Sequence, residues 1–535
     1  MKIKRLLFLI CLMTVWSLGF GQNERPAVEG RGVWMHPGDF GKSEQDVDRA
    51  FQQLKKCHIN LAIVLIKGTN GALFWKSSKF ASAIAPGYEN FDLLAALSKC
   101  ARKYGIRLHA WLCDFTEGKD APAVRAHPEW LMRNPQGEVT TDEKATAGQN
   151  YSDLWMCPAQ RPGYTDQWLL PLIEDIVRNY PVDGIHHDYV RYSSIAPDSF
   201  CFCDYCLENY LKANHFYYAN RPETEIPVKN YFIRPETNWL LDFTIKPKAW
   251  DRMSRPEKAD FLLNGKSINR ADLDYFFYAT KNDMITRFVR EAWERVFSIN
   301  PDIEFSAAVW KNPMLNGRFL GQRWTDFAPW VDVVMPMNYR EFFQGSFEEY
   351  LVYLEDMIRA QKEWCAGKSH LYIGIDASYI YNEEKEPWDR TLGWLRSRKA
   401  GLEADKNFEA LLEKNLKILE RFASPRSSAL RSSGEAFLKG KERPEELARL
   451  IQDFLSDPPA GFYPEEKLLK VVAVVRKARA EGMVIFASSQ LTQKKLWPAL
   501  ERAFAAPAEL PHVVQPLENK LSIQTLRALK KQTSR

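Results

Sequence analysis

Residues 182–192 read VDGIHHDYVRY. The segment opens like a strand buried on both faces, then turns polar, with His186, His187, Asp188 and Arg191 inside six positions. A strand that only packs stays apolar, so the place where polarity begins carries information. The rest of the chain supplies the frame. Seven further apolar runs share the same character: RGVWMHP (31–37), INLAIVLIKG (59–68), GIRLHAWLCDF (105–115), IEFSAAVWK (303–311), VDVVMPMNY (331–339), HLYIGIDAS (370–378) and GMVIFASSQL (482–491). Each is rich in Val, Ile, Leu and aromatics, as strands covered on both faces are. Between them lie helical patterns such as FDLLAALSKCARKYG (91–105) and WLLPLIEDIVRNYP (168–181). In the latter, Leu169, Leu172, Ile173, Ile176 and Val177 share one face. Eight such alternations predict a (β/α)8 barrel spanning 28–510.

Two insertions interrupt the rhythm, at about 201–273 after the fourth strand and about 381–464 after the seventh. The second reads as charged and helical, a solvated cover. Residues 511–535 read as a polar C-terminal tail. At the other end, MKIKRLLFLICLMTVWSLGFGQ has a basic start, a short apolar stretch and small residues before Gln22. That is the pattern of a secretory signal over 1–21, and it predicts an exported, periplasmic or extracellular protein. No later segment is long and apolar enough to span a bilayer, so stable membrane insertion is not expected. A net charge of +5 without a long basic run gives no electrostatic footprint for nucleic acid. The 17 tryptophans fit sugar stacking, although most of them will pack cores.

In a (β/α)8 barrel the catalytic groups sit where strands leave the interior at their C-terminal ends. The polar end of VDGIHHDYVRY is such a place. Alternation puts Gly184, His186 and Asp188 on one face, and Ile185, His187 and Tyr189 on the other. Asp188 then points into the mouth, with His186 one layer below and Arg191 able to pair with a carboxylate. A structural salt bridge with Arg191 is the plainer alternative for Asp188. Other strand ends add His36, His109, Asn338, Glu341 and Asp376, with Trp34, Trp111, Trp310 and Tyr339 as candidate stacking platforms. Glycoside hydrolysis needs two carboxyl groups, about 5–5.5 Å apart for retention and about 6.5–9.5 Å for inversion. Asp188 is the first candidate, as acid or nucleophile, and Glu341 and Asp376 compete for the second role. A substrate N-acetyl group acting as nucleophile would need only the one acid. Arg191 so close to Asp188 is expected to lower its pKa, which favours the nucleophile.

RGVWMHP, HPEWL (127–131), DGIHHDYVRY and VMPMNY (334–339), in this order, resemble the glycosyl-hydrolase-like family 10 proteins. The resemblance implies a bacterial (β/α)8 glycoside hydrolase, in a group of which some members act on peptidoglycan glycan strands. It maps the fourth-strand aspartate onto Asp188, with His186 and Arg191 as adjacent polar positions. His187 departs from the apolar residue expected there. VMPMNY is also similar to the sixth-strand pattern of family 18 chitinases, but Met337 and Asn338 do not reproduce its acid–base pair.

Cys201, Cys203 and Cys206 form C-x-C-x2-C, and three thiols so close can converge on one metal. The cluster resembles the zinc-binding cysteines of family 42 β-galactosidases, which implies Cys157 as the fourth ligand and a structural zinc. A disulfide among the four is the other reading. Two rival functions remain open on this sequence. One is a non-catalytic carbohydrate-binding barrel; the other is a metal-dependent hydrolase using His36, His186, His187 and Asp188.

Overall fold

The computed structural model describes residues 27–142, 153–194, 200–208, 251–264, 273–378, 390–398, 407–419, 425–456 and 464–517. The signal segment and most of 511–535 lie outside them. The eight apolar runs form eight parallel strands: β1 (Gly30–Met35), β2 (Leu61–Lys67), β3 (Arg107–Cys113), β4 (Gly184–Asp188), β5 (Glu304–Trp310), β6 (Val333–Met337), β7 (His370–Asp376) and β8 (Gly482–Phe486). They close into one barrel, with β8 pairing β1. Helices between them bury one face each. Glu44–Lys56 is capped by Ser43, and Phe347–Cys365 begins with a capping box of Ser346 and Glu349. Helix Leu93–Tyr104 ends on Gly105, whose φ of 65° suits the left-handed C-cap.

The barrel interior is polar along one side. The Trp34 indole is a donor only, so His186 Nε2 accepts its N–H at 3.1 Å. Neutral His186 then donates from Nδ1 to Ser306 Oγ at 2.8 Å. The Ser306 proton is left for His109 Nδ1, also at 2.8 Å, and His109 Nε2 faces Glu304 Oε2 at 2.9 Å. His512 Nε2 approaches the same carboxylate from another side at 3.2 Å, and its Nδ1 is held by the Tyr372 hydroxyl at 2.7 Å. Arg107 pairs with the other oxygen of Glu304 and with Asp183. Burial alone would push the Glu304 carboxyl up, but His512 and His109 hold it well below the usual range. Gly184 lacks a side chain where a Cβ would lie 2.5 Å from His109 Nε2, so glycine opens the room for that ring.

His512 belongs to a short helix, Pro511–Val514, and is buried. The beginning of the expected polar tail is therefore part of the barrel base. The strand Ala508–Glu509 pairs with Ala27–Val28 beside it. In the second insertion, helix Phe408–Leu419 does more than cover the surface. With Pro425–Leu438 and Pro444–Ser456 it encloses its own apolar core, including Leu412, Leu416, Leu430 and Ile451. Asp183 accepts from the Arg107 side chain and the Leu108 N–H, and so ties Arg107 to the bottom of the barrel.

Glu304→Gln removes a buried charge that three elements share. The expected cost is on the order of 3 kcal/mol, the low end for breaking a buried pair, because Arg107 is partly solvated. Urea denaturation would read it as a lower midpoint at constant slope, and an unchanged midpoint would remove this network from the stability of the fold.

Candidate active site

β4 delivers Asp188 to the barrel mouth. Its backbone carbonyl accepts the Asp114 N–H at 2.8 Å, which extends the β3–β4 ladder to the last strand residue. The chain then turns sharply: Tyr189 has φ of 52°, a left-handed conformation costly for a bulky side chain. This turn directs the Tyr189 N–H back onto Asp188 Oδ1 at 2.6 Å, and Arg191 Nη1 reaches the same oxygen at 3.5 Å. The Trp111 indole also faces this carboxyl. Burial raises the Asp188 pKa, and the opposing pull of Arg191 and the Tyr189 N–H does not cancel it. The lowering expected from Arg191 is thus reversed, because desolvation of the carboxylate is the larger effect. A carboxyl whose pKa is raised suits proton donation better than nucleophilic attack.

Aromatic and titratable groups surround this carboxyl. The His36 ring centroid lies 5.2 Å from Trp111 and 5.6 Å from Phe486. Burial lowers the pKa of His36, while Asp39 and Asp188 draw it upward. Tyr339 stacks between Phe342 and Phe486, at 5.5 and 5.8 Å. Burial raises its pKa first, and Asp188, Asp376 and Glu341 add to the effect, so the fields of all three carboxyls meet at this ring. Asp376 ends β7, is buried, and accepts the Ser378 N–H at 2.6 Å. Glu341 is exposed on the 3-10 turn Arg340–Phe342, where partial burial raises its pKa. Trp310 packs on Phe342 at 5.0 Å.

Five of the residues singled out in the sequence lie elsewhere. Trp34 is 1% exposed and committed to His186, so it offers no face to a sugar. His186 itself sits below the mouth and makes no hydrogen bond to Asp188. His109 is deeper still, bound to Ser306 and Glu304. Asn338 points outward and exchanges hydrogen bonds of 2.8 and 3.0 Å with the Gln361 amide. His187 faces the helices, with Nδ1 2.8 Å from Asp114 and its ring against Phe288 and Phe305. His186 and His187 therefore point to opposite faces, and with Asp188 they do not converge as a ligand set. Sequence reading passed over Tyr189, Trp155, Phe342 and Phe486. Phe486 was findable as the last residue of its strand, whereas Trp155 arrives on a three-residue strand outside the barrel, Asp153–Trp155, too short for a periodic signal.

The four cysteines do converge. Cys157 Sγ lies 3.5 Å from both Cys203 and Cys206, and all four sulfurs lie within 4.8 Å of one another. A tetrahedral metal with bonds of about 2.3 Å would set sulfurs about 3.8 Å apart, so the cluster has the shape to hold one. None of the eight described cysteines is in a disulfide. The cluster joins the loops that follow β3 and β4. Trp155, two residues before Cys157, packs at 5.6 Å on Tyr189.

A closed (β/α)8 barrel with a buried carboxyl and aromatic walls at its C-terminal mouth defines a glycoside-hydrolase type of site. The chain belongs to the glycosyl hydrolase-like 10 family, whose model matches residues 29–389. No curated protein matches it significantly in sequence. Among solved structures, the PgaB (BpsB) glycoside hydrolase domain from Bordetella bronchiseptica is similar at a TM-score of 0.51 and 11% identity, covering 89% of this chain and 99% of that one. A cold-adapted β-galactosidase from Rahnella sp. R3 follows at 0.44 and 12%, covering 87% and 66%. The β-galactosidase from the psychrophilic Marinomonas ef1 gives 0.41 and 11%, covering 65% and 48%. At such identity the likeness to the Bordetella domain speaks to the fold alone.

A carboxyl whose pKa is raised on folding contributes stability that is complete below its unfolded pKa and lost as pH rises through the folded one. Asp188→Asn, a neutral isostere, is therefore expected to melt above the wild type at pH 7, with the gap closing toward pH 4. Thermal melts across that range check it, and a gap that stays constant with pH would contradict the assignment of the raised pKa.

Proposed function

We propose that the protein is an exported glycoside hydrolase that cleaves O-glycosidic bonds of a polysaccharide, with peptidoglycan glycan strands or another amino-sugar glycan as first candidates. The observation that carries the reading is Asp188: a buried carboxyl with raised pKa, at a strained strand end, in the mouth of a barrel of this family. Asp188 protonates the leaving oxygen. Asp376 is the preferred partner, since it ends its strand and is buried, whereas Glu341 is exposed on a turn. His36, Trp111, Trp310 and Tyr339 line the mouth around the sugar, and Arg191 fixes the Asp188 carboxyl.

Wild type and Asp188→Asn would be incubated with peptidoglycan glycan strands, with and without stem peptides, and with neutral polysaccharides. New reducing ends from the wild type, and a fall of about a hundredfold or more in the variant, are expected for loss of a general acid. Asp376→Asn should cost more than Glu341→Gln. Equal release by wild type and Asp188→Asn would take Asp188 out of the chemistry, and silence on every glycan would favour a carbohydrate-binding barrel without turnover.

Cys157, Cys201, Cys203 and Cys206 would hold a zinc ion. Four thiolates leave no open position, so the metal would supply loop geometry and no chemical step. The purified protein is expected to carry about one zinc per chain, as that ligand set requires. Cys206→Ser would lose the zinc and melt lower, measured by atomic emission and by calorimetry. Full occupancy in that variant would exclude the assignment.

A further inference from the structure

Arg191 is buried, at 5% exposure, yet among the described residues almost nothing answers its charge. There its only acceptor is Asp188 Oδ1, at the 3.5 Å limit of a hydrogen bond, and it is reached by Nη1. Among the same residues Nε is buried without a partner, and Nη2 has none either. Other buried guanidiniums are well supplied. Arg340 donates to the carbonyls of Phe343 and Gly345, and Arg31 to Glu29 and the Ala506 carbonyl. Around Arg191 the walls are aromatic: its guanidinium carbon lies 4.5 Å from the Tyr189 ring centroid and 5.8 Å from those of Trp155 and Trp310.

These walls repeat the deficit. The indole nitrogens of Trp155 and Trp310 are buried and have no acceptor among the described residues, and that of Trp111 has only the Asp188 carboxyl to face. Indole and guanidinium groups only donate, so this corner of the mouth is a set of donors lacking acceptors. Leaving buried donors unmade is costly, and a folded protein tolerates it where a ligand completes them. A sugar hydroxyl is a poor complement, because it brings a proton of its own into a place with few acceptors. A carboxylate brings only acceptors and a charge. The Nε–Nη2 edge is also the side-on fork of the guanidinium, the edge that takes a planar carboxylate in two parallel hydrogen bonds.

We infer that Arg191, with the indole N–H groups around it, forms a subsite for a carboxylate carried by the sugar units of the substrate. The inference rests on the glycosidase reading for its choice of ligand. Two sources share this chemistry: a uronic acid, and an amino sugar bearing a lactyl ether. The subsite sits on Asp188 itself, so the carboxylate-bearing unit lies next to the bond that is cleaved.

The test uses full-length Asp188→Asn protein, which holds glycan without turning it over. Isothermal titration would compare glycan strands stripped of stem peptides with the same strands after their carboxyls are reduced to alcohols. Polygalacturonate and its carboxyl-reduced form would be the second pair. The carboxylate form of at least one pair is expected to bind about tenfold or more tightly than its reduced form. Adding Arg191→Gln should abolish that preference, and Arg191→Lys should keep part of it, since a lysine retains charge without the fork. Thermal melts confirm that each variant is folded, and the comparison of the two glycan forms on Asp188→Asn alone stands if the added Arg191→Gln is not.

Preference in the first pair alone assigns the lactyl ether, and in the second alone the uronic acid. Equal affinity within both pairs overturns the inference, as does a preference that survives Arg191→Gln or the absence of binding to any of the four glycans. The two readings fail separately. Wild-type turnover that is equal on carboxylate and reduced glycans keeps the glycosidase and removes the subsite. Carboxylate-selective binding without turnover of any glycan keeps the subsite and removes the glycosidase.

Discussion

Glu304 is the constraint on which the barrel is organised. It is a carboxylate inside a strand bundle, and it is tolerable there only because Arg107, His109 and His512 all reach it. Arg107 and His109 come from β3, and His512 from the far end of the chain. Their geometry fixes the proton positions upward through Ser306 and His186 to Trp34. The polar column that supports β4 from within is thus set from the base, and β4 is the strand that presents Asp188. Support below and reactivity above share one strand without sharing residues.

That separation explains what was legible in the sequence. Apolar runs and helical periodicity located all eight strands, because burial on both faces leaves a composition that needs no tertiary knowledge. Alternation along VDGIHHDYVRY also assigned inward and outward faces correctly for His186 and His187. Depth is another matter. Alternation says which way His109 and Trp34 point, but the stagger between strands decides how far below the rim they lie, and no single strand encodes stagger. Asn338 was a different kind of miss. Val333 and Met335 face inward, so parity alone places Asn338 outward, against Gln361. The convergence of Cys157 on the other three cysteines joins two loops, and only the likeness to a known zinc cluster suggested it.

The balance at Asp188 could not be read from neighbours in sequence. Arg191 three positions on argues for a low pKa when burial is ignored. Burial wins because the guanidinium touches the carboxyl only at the edge of hydrogen-bonding distance, and its faces are packed among Tyr189, Trp155 and Trp310. The same loose contact leaves the fork of Arg191 without a partner among the described residues. The raised pKa of Asp188 and the open fork of Arg191 therefore have one geometric origin, the left-handed turn at Tyr189 that spaces the two side chains.

The placement of His512 bears on the order in which the molecule assembles. Its carboxylate partner lies 208 residues earlier in the chain, and β1 finds its neighbour β8 only after nearly the whole sequence is present. Closure of such long loops is entropically costly and kinetically late. Until then Glu304 lacks one of its histidines, and the first strand has an open edge. A nascent chain of this protein consequently carries an incomplete barrel through most of its synthesis, and is obliged to stay unfolded, or be held so, until its final turns arrive.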